Sequence, residues 1–373
     1  MTTMISLILA LVAAGLAIGL AVTYLARKVG RSTGALDSPG SRGHEKKLRA
    51  VPNNGGIAIY LAVAVPIAAG LIAVWVLDAG WWSTRLPAVA EHLERIKQST
   101  PTAVAMLVSM TFLYVVGAID DRRSLGPAPK LVAQVAVAAA MAIWFEVRLL
   151  ERAGMPAWGS VLLTIVWIVA VTNAINFMDN MDGLAAGVSA IAATLFMFAC
   201  IVNHQWFIAS TLALLIGALA GFLFFNFPPA TIFMGDRGSL VVGFVLAVLT
   251  VRTTYVHPEL GGGWYGIFMP LIVLAIPLYD LVTVTLTRLK QGRSPFVGDQ
   301  QHFSHRLVLR GMSTRGAVVV IWSATAVTGI GGVALGSLLA WQAVLVAVQT
   351  LLVLAMIALF EHASRRAVGK PEP

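Results

Sequence analysis

The chain has 373 residues, 58% of them hydrophobic and 12% charged, with a formal net charge of +9. A soluble domain of this length cannot hide so much apolar surface, which excludes a soluble globular protein and points to an integral membrane protein. The positive charge then reads as loop charge and not as a nucleic-acid surface, and the single cysteine, Cys200, excludes an internal disulfide.

A helix needs about 20 apolar residues to cross a bilayer. Runs of that kind recur at roughly 4–26, 55–78, 102–119, 131–147, 158–177, 185–202, 206–226, 238–252, 264–287, 316–337 and 340–360. They predict an all-α polytopic membrane helix bundle of about 10–11 transmembrane helices, in one domain over residues 1–364, with a short basic tail at 365–373. The first run has no basic residue before it and Arg27, Lys28 and Arg31 after it. It is therefore predicted to be an uncleaved helix with its N-terminus outside. That orientation leaves Arg85, Arg95, Lys97, Arg148, Arg152 and Arg252 outside, and the other 20 of the 26 lysines and arginines inside. The inside set marks a cytoplasmic face, which also holds the C-terminus.

The first inside loop carries Asp37, Arg42, His44, Lys46 and Lys47 ahead of Pro52 and Gly55-Gly56. It can hold a phosphate or lipid headgroup, or be an ordinary basic loop. The outside stretch 79–101, with Trp81 and Trp82, is predicted to lie on the membrane surface. The run 102–119 ends in Asp120 and Asp121, followed by Arg122, Arg123 and Lys130. One carboxylate can act as a base or position a nucleophile while the other orients it or supports a metal; a solvated helix end would look the same.

At the end of 158–177, Asn173, Asn176, Asp179 and Asp182 recur every three residues, roughly along one helical face or a shallow spiral, before Gly183 breaks the helix. Oxygen donors with no soft ligand suit a hard cation, Mg²⁺ or alternatively Mn²⁺; a C-terminal cap followed by a turn, with Asn173 bonding a neighbouring helix, is the other reading. After 206–226 comes NFPPATIFMGDRGSL. Pro228-Pro229 ends a helix, Gly235 and Gly238 allow close backbone approach around Asp236, and Phe233 can stack on a base. Ser239 and the free N–H groups opening the next helix can receive a phosphate. A plain tight turn is the alternative.

Asp280 is an acid inside the ninth run, suited to bonding a helix neighbour or supporting the site indirectly. In the loop 288–315, His302, His305, Arg306 and Arg310 form a basic group able to clamp a diphosphate, or an ordinary basic inside loop with no contact to substrate. Zinc would need a third soft ligand that the loop lacks. Acids at a hydrocarbon edge are costly, and Asp120, Asp121, Asp179, Asp182 and Asp236 all fall on the inside face. Together they suggest one polar site for a divalent cation and a phosphate compound. A transporter with an acidic ion pathway is the competing class. It expects acids near mid-membrane and repeat symmetry, and no internal repeat is evident.

In order and spacing the clusters resemble the polyprenyl-phosphate N-acetylhexosamine-1-phosphate transferases. The matching pattern runs from 37 to 315: D-x-P…H-x(2)-K…VP-x(2)-GG at 37–56, DDR…L…K at 120–130, N-x(2)-N-x(2)-D-x(2)-DGL at 173–184, N-x-PPA-x-IFMGD-x-GSL at 226–240, and P-x-YD…R…SPF…D-x(2)-H-x(2)-HRL at 277–307. The VP-x(2)-GG form and the HRL ending look like the undecaprenyl-phosphate GlcNAc-1-phosphate branch and unlike the phospho-MurNAc-pentapeptide branch. Two positions depart from the pattern: Asn180 stands where a glycine is commoner, and Ser304 interrupts a histidine run.

The resemblance implies a Mg²⁺-dependent enzyme of the inner cell membrane, with its active site on the cytoplasmic face. Its partners would be a UDP-sugar and a polyprenyl phosphate, and it would serve an envelope polymer such as O-antigen or teichoic acid. A homodimer is compatible with it. By the resemblance, Asn176 and Asp236 are metal ligands, and Asp120, with Asp121 beside it, activates or positions the lipid phosphate. Phe233 and Asp182 face the uracil, Asp179 and Asn180 line the nucleotide pocket, and Lys130, His302, His305 and Arg306 face the diphosphate and sugar phosphate.

Overall fold

The computed structural model describes residues 2–34, 51–253, 255, 263–294 and 302–363. The first-loop residues Asp37, Arg42, His44, Lys46 and Lys47, and the tail 365–373, lie outside them. The described residues form helices and no strand: α1 (Thr2–Thr33), α2 (Gly56–Val76), α3 (Ala79–Arg85), α4 (Pro87–Ala90), α5 (Leu93–Asp120), α6 (Pro127–Ile143), α7 (Ala157–Met178), α8 (Leu184–Val202), α9 (Trp206–Asn226), α10 (Asp236–Arg252), α11 (Met269–Val273), α12 (Ala275–Lys290), α13 (Phe303–Leu309), α14 (Thr314–Ala334) and α15 (Ala340–Ala363). Among them, eight helices are long and apolar enough to cross a membrane, or nine if the bent pair around α11 and α12 is one span. The all-helical membrane architecture is as the sequence predicts.

The lower span number has local causes. Helices α6 and α10 have 17 residues each, a rise of about 25 Å against a hydrocarbon thickness of about 30 Å. The run 264–287 is not one straight helix. A 3₁₀ turn at Trp264–Phe268 leads into α11, and α12 departs at 66°. Pro277 has no N–H to give to the carbonyl of Val273, so the helix cannot run straight through. In the other direction, α5 begins at Leu93, well before 102, because Leu93 and Ile96 pack with Val74 and Trp82. The stretch 79–101 is thus two short helices and the first turns of α5, folded against the end of α2.

Helix α10 is the axis of the bundle. Every residue from Arg237 to Thr250 is buried, as expected of a helix that is apolar on all sides. Helices α2, α5, α7 and α8 surround it. Its charged first turn is thereby held by protein on several sides. Glycines set how close the neighbours come. A Cβ on Gly56 would lie 2.4 Å from the Gly238 nitrogen, one on Gly117 would lie 2.5 Å from Arg237 backbone, and one on Gly243 would lie 2.7 Å from Thr172 Cα. On the periphery, Gly15 and Gly19 of α1 meet Gly217 and Gly221 of α9 backbone to backbone, the small-residue packing that lipid-embedded helices use. Gly56→Ala should cost about 1–3 kcal/mol by overpacking against immovable backbone. Thermal unfolding in detergent checks this, and an unchanged midpoint would contradict it.

Candidate active site

Four helix ends meet at one end of α10. Asp120 is the last residue of α5, Lys130 lies in the first turns of α6, Asn176 is near the end of α7, and Asp236 opens α10. Lys130 Nζ donates to Asp120 Oδ2 at 2.9 Å and to Asp236 Oδ2 at 2.6 Å. Asp120 Oδ1 also accepts from the Leu125 amide at 2.8 Å, closing the turn between α5 and α6. Asn176 Nδ2 donates to Asp236 Oδ1 at 3.1 Å and to Ser239 Oγ at 2.8 Å. Residues more than a hundred positions apart in sequence thus share one small polar cluster.

Asp121 faces α10. Its Oδ1 accepts from the Asp236 amide at 2.9 Å, and its Oδ2 accepts from Arg237 Nε at 2.6 Å and from the Arg237 amide at 3.4 Å. A carboxylate from α5 therefore caps the N-terminus of α10, where the helix dipole also favours negative charge. Gly235 makes room for it: its φ is +69°, and a Cβ there would lie within 3 Å of both Asp121 oxygens. Burial, then the nearby Asp236 charge, push the Asp121 carboxyl up to about 6, while its bonds to Arg237 draw it down. Arg237 is buried against it, so Asp121→Ala strands a cation. A loss of about 3 kcal/mol in unfolding free energy is expected, with Asp121→Asn milder; equal stability of the wild type and the alanine variant would contradict this.

That cap overturns one expectation. The N–H groups opening α10 are not free for a phosphate: those of Asp236 and Arg237 go to Asp121, and those of Gly238 and Ser239 go to the Gly235 carbonyl. Ser239 Oγ is buried between Asn176 and Gly235 O. These four amides are therefore not available to a phosphate.

The run from Asn173 to Asp182 does not stay on one helical face, because α7 ends at Met178. Asn173 bonds Gln134 of α6 and the Val169 carbonyl, which makes it a helix–helix tie. Asp179 is the C-cap of α7. Asp182 Oδ2 accepts from the Ala230 amide at 2.9 Å. Asn226 adds a second tie between the same loops, accepting from Gly183 N and donating to Ile232 O. Phe233 is half-buried, with its backbone pinned to Pro52 and Gly55 at the start of α2. The α7–α8 turn and the 227–235 loop therefore form one stitched wall beside Asp236.

Asp280, fully buried in α12, accepts from Phe303 N at 2.8 Å and pairs with His302 Nδ1 at 2.7 Å. It orients the start of α13, which carries His305 and Arg306. The His302 ring stands edge-on to Phe177 of α7, over which Arg288 also sits at 5.3 Å. This brings α13 to the wall formed by the α7–α8 turn. Arg237 and Arg288 carry no motif signal beyond loop charge, and their partners were not legible in sequence.

The donor set fits a hard cation. The Asp120 and Asp236 carboxylates and the Asn176 amide offer oxygen, with no thiol or imidazole among them. The Lys130 ammonium bridging the two carboxylates shows that the pocket between them favours positive charge. Among the described residues no cluster of three or more His, Cys, Asp or Glu side chains forms a metal cage. Two carboxylates and an amide suit Mg²⁺, which usually keeps several waters.

The family model "Glycosyl transferase family 4" matches residues 103–254, the stretch that holds Asp120 through Asp236. The chain is 30% identical over 326 residues to a probable undecaprenyl-phosphate N-acetylglucosaminyl 1-phosphate transferase of Bacillus subtilis, covering 86% of this chain and 82% of that protein. It is 30% identical over 340 residues to a decaprenyl-phosphate N-acetylglucosaminephosphotransferase of Mycobacterium tuberculosis, covering 83% and 79%. Against an undecaprenyl-phosphate alpha-N-acetylglucosaminyl 1-phosphate transferase of Escherichia coli the identity is 28% over 328 residues, covering 83% and 79%.

Proposed function

The chain belongs to glycosyl transferase family 4, the polyprenyl-phosphate HexNAc-1-phosphate transferases, and we propose that it moves GlcNAc-1-phosphate from UDP-GlcNAc to undecaprenyl phosphate with release of UMP. The observation that carries this reading is the convergence of Asp120, Lys130, Asn176 and Asp236 from four helices at one end of the bundle. A phosphate oxygen of the lipid attacks the β-phosphorus of the nucleotide sugar, the bond to the UMP oxygen breaks, and a lipid diphospho-sugar remains. Charge gathers on diphosphate oxygens in such a transfer, so cations matter more than a strong base.

Asp120 sits where it can orient the lipid phosphate. An alkyl phosphate has a second pKa of about 6, so near neutral pH its placement counts for as much as its deprotonation. Asp236 and Asn176 would hold Mg²⁺, which supplies charge neutralisation to the diphosphate. Asp121, beside Asp120, acts as a positioning residue that fixes Asp236 through the start of α10. Asp179, Asp182 and Phe233 line the wall assigned to the uridine. His305 and Arg306, together with Lys130, face the phosphates, and His302 is oriented by Asp280. The basic loops at this end support a cytoplasmic site, and the reaction would open envelope-glycan synthesis on the inner membrane.

Purified protein is incubated with undecaprenyl phosphate, Mg²⁺ and a panel of UDP-sugars that includes UDP-GlcNAc, other UDP-N-acetylhexosamines and UDP-MurNAc-pentapeptide. UMP release with UDP-GlcNAc, lost on chelation and restored by Mg²⁺, is expected. Preference for another sugar overturns the GlcNAc assignment, and silence across the panel overturns the transferase reading.

A further inference from the structure

We infer that Asn180 and Ser304 form a matched positioning pair that fixes the distance between the nucleotide-side turn and the basic helix α13, and so sets affinity for the UDP-sugar. The inference rests on the transferase reading above. Ser304 Oγ donates to Asn180 Oδ1 at 2.6 Å across 124 positions of sequence, and Ser304 is fully buried. Asn180 Nδ2 donates to the Phe177 carbonyl, also at 2.6 Å, at the end of α7. The amide orientation follows from its partners. Reversed, it would set its oxygen against the Phe177 oxygen, which cannot donate. Each end of the Asn180 side chain thus has a partner within the protein, one at the end of α7 and one on α13.

Helix α13 is seven residues long and projects His305 and Arg306, and a helix that short has little stability of its own. Two side-chain ties anchor its first turn: Asp280 holds Phe303 N and His302 from α12, and Asn180 holds Ser304 from the α7–α8 turn. The Asp280 tie sets α13 relative to its own neighbour α12. The Asn180 tie alone of these two runs to the turn that also bears Asp179 and Asp182. Glycine at 180 could not accept this bond, and alanine at 304 could not donate it.

The test is a double-mutant cycle with Asn180→Ala, Ser304→Ala and the pair together, assayed with UDP-GlcNAc and undecaprenyl phosphate. Loss of one partner of a buried hydrogen bond predicts a KM for UDP-GlcNAc raised about tenfold in each single variant, with kcat and the KM for undecaprenyl phosphate within about twofold. The double variant should match the singles and not show the roughly hundredfold rise that independent effects would give. Folding is checked by thermal unfolding. Should Ser304→Ala fail to fold, Ser304→Cys keeps the volume with a weaker donor and should move KM in the same direction. Additive singles, unchanged KM, or equal changes for both substrates overturn the pair while leaving the transferase reading intact. A wild-type protein that turns over no UDP-sugar overturns both.

Discussion

Asp236→Ala should lower kcat by about a thousandfold or more, an effect of the size seen when a group stabilising transition-state charge is removed. The Asp236 side chain touches both Lys130 and Asn176, and its backbone amide is fixed by Asp121. Deleting its carboxylate removes the group proposed, with Asn176, to hold Mg²⁺ and leaves Lys130 paired with Asp120. The loss should appear with little change in the unfolding midpoint, because Asp236 is part-exposed and α10 keeps its cap from Asp121. Asp236→Asn, which keeps the shape and loses the charge, should be nearly as inactive. Activity within tenfold of the wild type in either variant would remove Asp236 from the chemistry.

Asp120→Asn should lower kcat by about 10²- to 10⁴-fold, the range for loss of a group that orients or deprotonates a nucleophile. Because Asp120 is assigned to the lipid phosphate, the KM for the UDP-sugar should stay within a few-fold. A raised KM for UDP-GlcNAc with kcat preserved would instead make Asp120 a nucleotide contact. The variant keeps an acceptor for the Leu125 amide, so the turn leading to Lys130 should survive and the kinetic loss should reflect charge.

The acids of the candidate site were visible in sequence because charge at the edge of an apolar run is conspicuous. Asp120, Asp121, Asp179, Asp182 and Asp236 needed only hydropathy and spacing to be found. Their division of labour was less legible. Asp121 and Asp120 are neighbours, yet one caps α10 and the other turns toward Lys130. That difference is set by the crossing of α5 on α10 at Gly117, a contact between segments more than a hundred residues apart. Periodicity carries no such information.

Asp280 shows the same limit. An acid inside an apolar run signals a buried partner, but nothing local identifies His302 as that partner. Boundaries failed where packing overrides hydropathy, as at Leu93, and where a proline breaks an apolar run, as at Pro277. The opening of α10 resembled a phosphate cradle by its glycines, and only the position of Asp121 shows its amides to be occupied.

The most direct test follows the β-phosphorus. Wild-type protein is given UDP-GlcNAc labelled at the β-phosphate, with undecaprenyl phosphate and Mg²⁺, and the label is located in the products. Transfer of sugar-1-phosphate places the label in the lipid fraction, yields unlabelled UMP, and gives a lipid heavier by GlcNAc-1-phosphate. Label recovered in released UDP, or in an unchanged nucleotide sugar after prolonged incubation, would contradict the assignment.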